Sequence, residues 1–203
     1  MQNNNGVVDQ LIAAGAWISE KGWVPATGGN FSVRLADGFI VTASGYDKGC
    51  LTEDSFCQFD WQGNQLAGTG KPSAETGLHL AIYQLDLDAQ AILHTHSVAA
   101  TTLSRHVADS QLTIHGYEMQ KSLAGIQSHL EAVNIAIFDN DQDIGALADQ
   151  VKGTYAKQPL HHGILIRGHG LYVWGASVLE ARRHLEGLEF LFACELERFK
   201  LQG

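Results

Sequence analysis

Cysteine is scarce in this chain: Cys50, Cys57 and Cys194 are odd in number, widely spaced and form no CxxC pair. That usage argues against a disulfide scaffold and for a reducing compartment, with free thiols in or near the core. Positive charge is also short, 13 Lys and Arg against 22 Asp and Glu, for a formal net charge of −9. With no long basic patch, nucleic acid is not an expected partner. No apolar stretch approaches the roughly 18 residues needed to span a bilayer, so no membrane association is expected. The opening residues, Met1 to Gly6, are polar and lack the charged and apolar regions of a secretory signal. Neither the P-loop nor the dinucleotide-binding glycine fingerprint occurs, and repeats, low-complexity tracts and linkers are missing. What remains is an ordinary globular composition, 45% hydrophobic and 17% charged, in a chain of 203 residues. Residues 1–203 are read as one soluble, cytoplasmic domain with a sizeable core.

The hydrophobic pattern alternates between two periods. Residues 7–20 read as a helix that Gly22 could end. Two short β-runs, 31–34 and 39–42, flank Asp37-Gly38, a strong hairpin signal. A third strand is expected over Phe56–Trp61, a helix over 74–85, a strand ending in His94 and His96, and a helix from about Val98 to Arg105. Residues 111–115 alternate as a strand does, and Val133–Phe138 is an apolar run suited to burial on both faces. A helix near 142–152 follows, then strands 164–166 and 171–174 around Gly168-His169-Gly170. Ser177 and Glu180 form a capping box for a last helix running to about residue 200. Without strict βαβ alternation, the expectation is an α/β fold with a mixed or largely antiparallel sheet and helices packed on it.

The chemistry centres on histidine. In Ala91-Ile92-Leu93-His94-Thr95-His96, the two imidazoles sit at i and i+2, on one face of a strand. His169 lies far down the chain between two glycines, after another β-like run. Three histidines with an open fourth position match a catalytic zinc site, although three imidazoles also suit iron or manganese. His106, His129, His161, His162 and His184 read as surface or internally satisfied residues. Three polar loops suggest a phosphate pocket: Thr27-Gly28-Gly29-Asn30, Ser44-Gly45-Tyr46-Asp47-Lys48, and Lys71-Pro72-Ser73-Ala74 at a helix start. Two carboxylates are candidates for acid–base work: Glu75 in the first turn of the 74–85 helix, and Glu118 just beyond a strand end.

In order and type these motifs resemble the class II aldolase family, the fold of L-fuculose-phosphate aldolase. The resemblance runs from about residue 8 to 198, and its most specific segment is Gly168-His169-Gly170-Leu171-Tyr172-Val173-Trp174-Gly175. It implies a three-layer α/β/α sandwich with a central, largely antiparallel mixed sheet. It implies one Zn2+ per subunit on His94, His96 and His169, and a sugar-phosphate substrate held by Gly29, Asn30, Ser44, Gly45, Lys48 and Ser73. Glu118 matches the acid/base of members that dehydrate a ketose phosphate, while Glu75 matches the catalytic glutamate of the aldolases, which also binds the metal when substrate is absent. Two departures speak against aldol cleavage. His115 stands near the place of one aldolase tyrosine, and no tyrosine follows Phe199. Aldolase or 4-epimerase activity remains an alternative reading, and non-catalytic binding on the same fold a remote one. The family's rings imply a homotetramer with active sites near subunit boundaries.

Overall fold

The protein is described by a computed structural model covering residues 5–202. Helix α1 (Asn5–Glu20) leads into the hairpin β1 (Asn30–Leu35) and β2 (Gly38–Thr42), then β3 (Phe56–Asp60) and β4 (Gln65–Ala67). Next come α2 (Thr76–Leu85), β5 (Ala91–Thr95), α3 (Val98–His106) and β6 (Gln111–Ile114). The chain finishes with β7 (Val133–Phe138), α4 (Ile144–Tyr155), β8 (Gly163–Ile166), β9 (Gly170–Gly175) and α5 (Val178–Gln202).

The strands form one nine-stranded sheet in the order β4-β3-β2-β1-β5-β9-β8-β7-β6. Every pairing is antiparallel except β7 with β8. Residues from α1, α3 and α5 pack with one face, including Leu11, Leu103 and Phe192. Residues from α2 and α4 pack with the other, including Leu78, Tyr83 and Leu147. The result is the three-layer sandwich expected, with two cores separated by the sheet. The short edge strand β4, exposed throughout, carries too little apolar pattern to be read from sequence. Cys57 is buried and Cys194 partly so, and Cys50 is exposed, where free thiols in or near the core were expected.

Strand register decides where the chemistry sits. His94 is opposite Asn30 on one side and Tyr172 on the other, and Thr95 is opposite Leu171. The C-terminal ends of β5, β7 and β8 and the N-terminal ends of β1 and β9 therefore share one end of the sheet.

Candidate metal centre and anion pocket

At that end, three imidazoles converge. Their Nε2 atoms lie 2.8 Å (His94–His96), 3.0 Å (His96–His169) and 3.3 Å (His94–His169) apart. His94 points its Nδ1 at the Leu171 carbonyl, 2.9 Å away, so this nitrogen carries the proton and Nε2 is bare. The Nδ1 of His169 faces Asn140 Oδ1 at 3.3 Å and is assigned the same way. Bare nitrogens facing each other repel unless a cation lies between them. Burial and the neighbouring imidazoles drive His94 well below the usual histidine range. Desolvation, with His169 and Lys48 adding to it, lowers His96 to about 4. Neutral rings with Nδ1 held by a carbonyl or amide oxygen are the form in which histidine ligates metal. A tetrahedral centre with nitrogens at 2.0–2.1 Å would space them about 3.3 Å apart, close to the separations here.

Glu75 closes the fourth side. Its Oε1 is 3.1 Å from His169 Nε2 and its Oε2 is 3.5 Å from His94 Nε2. The four donors together fit a divalent metal ion. The Tyr172 ring stacks on His94, with centroids 3.8 Å apart and planes at 12°. Its buried hydroxyl has no hydrogen-bond partner among the described residues. Desolvation, with the Glu75 charge adding to it, raises this phenol well above its ordinary pKa.

A cavity of about 350 Å³ opens beside the cluster. Gly29, Asn30, Ser44, Gly45, Lys48 and Ser73 all line it, with Glu75, His96 and His169. The three predicted loops thus meet Glu75, His96 and His169 in one pocket. Gly29 is at φ +72, and a side chain there would run into the His94 carbonyl, so glycine is required for this loop to pass so close to β5. Lys48 has a more specific job than expected. Its buried ammonium donates to Thr27 O and Tyr46 O, each at 2.8 Å, and so ties the first loop to the second.

Glu118 is elsewhere. Its strand, β6, runs antiparallel to β7 with Ile114 opposite Val133, so Glu118 follows the end of the sheet away from the histidines. Four strand spacings and a strand length separate the two, on the order of 20 Å. There Glu118 is exposed and bonded to Lys121 at 2.7 Å, a contact that lowers its pKa. His184 is satisfied internally, between Trp174 O and the Ala124 amide. Asn140, Asp141 and Gln142, after β7, also line the pocket and went unread in the sequence, because nothing in an isolated polar loop shows which strand end it faces.

Fold and site together point to an enzyme of the class II aldolase fold with three histidines placed to hold a metal ion. Residues 9–196 match the family described as Class II Aldolase and Adducin N-terminal domain, and the chain belongs to it. Its relatives include "Methylthioribulose-1-phosphate dehydratase" of Pseudoalteromonas translucida (strain TAC 125), 59% identical over 203 residues, all of this chain and 96% of the relative. The protein of the same name from Pectobacterium atrosepticum is 56% identical over 200 residues, covering 98% of each chain. The chain thus groups with lyases of this family. Among solved structures, the l-fuculose-1-phosphate aldolase of Thermus thermophilus superposes with a TM-score of 0.79 at 26% identity, over 98% of both chains.

Proposed function

We propose that this protein is a zinc enzyme of methionine salvage that dehydrates 5-methylthioribulose 1-phosphate to 2,3-diketo-5-methylthiopentyl 1-phosphate. The observation that carries this reading is that His96 and His169 of the three-histidine cluster, with Glu75, line the same small cavity as the anion loops. A ketose 1-phosphate has its carbonyl one carbon from its phosphate-bearing carbon, so one molecule can engage both. The names of full-length relatives support the particular substrate.

The Gly29, Ser44, Gly45 and Ser73 region receives the phosphate, with backbone N–H groups and hydroxyls as donors. Zinc held by His94, His96 and His169 would polarise the C2 ketone and make the C3 proton more acidic. Glu118 takes that proton and delivers one to the departing C4 hydroxyl, so water leaves and the resulting enol tautomerises to the diketone. Since Glu118 lies at the far end of its own sheet, it serves the site of a neighbouring copy in a cytoplasmic homotetramer. Glu75 occupies the fourth side of the cluster until substrate enters.

The test is turnover of 5-methylthioribulose 1-phosphate by zinc-loaded protein, read as product mass. Loss of one water with the carbon chain intact supports the dehydratase. Two fragments, one a three-carbon phosphate, would make the protein an aldolase and overturn this reading.

A further inference from the structure

Glu75, His79 and Tyr83 lie at i, i+4 and i+8 at the start of and along α2, one stripe of the helix. Asn30 and Ser32 lie at i and i+2 on β1, one face of the strand. The two rows meet in register. Tyr83 Oη and Ser32 Oγ are 2.8 Å apart, Ser32 Oγ and His79 Nδ1 are 2.7 Å apart, and His79 Nε2 contacts Asn30 Oδ1. The Asn30 amide then donates from Nδ2 to Glu75 Oε2 and to Ser73 Oγ. Ser32, His79 and Tyr83 have no solvent exposure, and Asn30 almost none.

We propose that His79 is a positioning residue for the reaction, acting through Asn30 on Glu75 and Ser73; this rests on the function proposed above. Only one proton arrangement satisfies every partner. Asn30 Oδ1 is an acceptor, so His79 Nε2 must carry the hydrogen. His79 Nδ1 is then bare and accepts a hydrogen bond from the Ser32 hydroxyl, and Ser32 accepts one from Tyr83. A buried ring between these partners stays neutral, and desolvation lowers its pKa to about 3. The His79 N–H thereby locks the Asn30 amide with its nitrogen toward Glu75. With the amide reversed, Oδ1 would face the carboxylate, acceptor against acceptor, and Ser73 would lose a donor beside the phosphate loop. One buried imidazole thus sets both the carboxylate beside the metal ligands and a hydroxyl of the anion pocket.

The experiment has two readouts. In the metal-free wild-type protein, 15N NMR of the His79 ring should report a neutral Nε2–H tautomer throughout pH 5–8. A charged ring or an Nδ1–H tautomer overturns the proposal, whatever the substrate. Kinetically, glutamine reproduces the Nε2 donor of histidine and asparagine does not. With zinc content matched, His79→Gln should keep kcat within about tenfold, whereas His79→Asn should lose on the order of 10²-fold, the scale of an ångström-level misplacement. In an Asn30→Ala background, His79→Asn should cost no more than about twofold further, because residues acting through one another are not additive. Equal losses in the two His79 variants, or additive losses with Asn30→Ala, would mean a packing role only and overturn the proposal. If His79→Asn fails to fold, the tautomer and the His79→Gln variant decide. Absence of wild-type turnover with the Nε2–H tautomer present refutes the assigned substrate, and the tautomer result still supports the relay.

Discussion

His94 shows how much a residue's role depends on both ends of its ring. The Leu171 carbonyl accepts a hydrogen bond from Nδ1–H, and that bond leaves Nε2 bare toward His96 and His169. Replacing His94 by alanine should remove the bound metal, read by elemental analysis of purified protein. Retention of a full equivalent would refute the ligand set. Glu118→Gln should behave oppositely, keeping the metal and losing roughly 10²–10⁴-fold in kcat, the usual worth of a positioned acid–base group. Near-normal turnover in that variant would move the role to Glu75. The histidine pair was legible because i and i+2 on a strand share a face. Glu75 was legible only as a candidate, since its approach to His169 depends on how α2 enters against β1.

Among the elements, β5 carries different chemistry on its two faces. His94 faces the metal pocket, while Thr95 points into the opposite core and donates to Glu189 of α5 at 3.0 Å. The other oxygen of Glu189 has no hydrogen-bond partner among the described residues, and burial, opposed by Ser97 and Thr95, raises this carboxyl to about 7. A folded pKa above the unfolded value means stability present below about 4.5 and lost as pH rises toward about 7, then constant. Glu189→Gln should therefore gain stability over wild type across that window, reaching on the order of 3 kcal/mol at pH 8, by denaturant titration. A difference that does not change with pH would disprove this account. Sequence periodicity placed α5 but not this acid, because a glutamate on an otherwise apolar stripe looks like any boundary residue. The loops show the same division. Their glycines and hydroxyls were readable, while the Lys48 bridge between them was not. Lys48→Met should leave two carbonyls without a donor, cost about 1–3 kcal/mol, and raise KM more than it lowers kcat. Unchanged stability and KM would remove Lys48 from the pocket's framework.

At the scale of the whole molecule, Glu118 and the histidines stand at opposite ends of one sheet, and the proposed mechanism joins them through assembly. Light scattering should find a tetramer. Mixed tetramers of Glu118→Gln and His94→Ala subunits should regain about a quarter of wild-type activity, since a site then combines intact ligands from one copy with an intact Glu118 from another. No recovery after verified subunit exchange would place the acid–base group within the chain. What the sequence by itself determined was local: His94 and His96 on one face, the β1–β2 hairpin (its turn at Ala36-Asp37, one residue before the expected Asp37-Gly38), the Ser177 cap of α5 (with the Glu180 carboxylate accepting from Ala176 N rather than closing the expected capping box), the polar loops and the absence of a long apolar span. Each follows from side-chain periodicity or backbone chemistry over a few residues. Only the tertiary structure decided which strand ends lie together, that Asn30 faces His94, that the β1 row meets the α2 stripe in register, and that Glu118 lies away from the site. Those outcomes depend on strand order and direction, and a strand's own residues carry almost no information about which neighbour it will pair with.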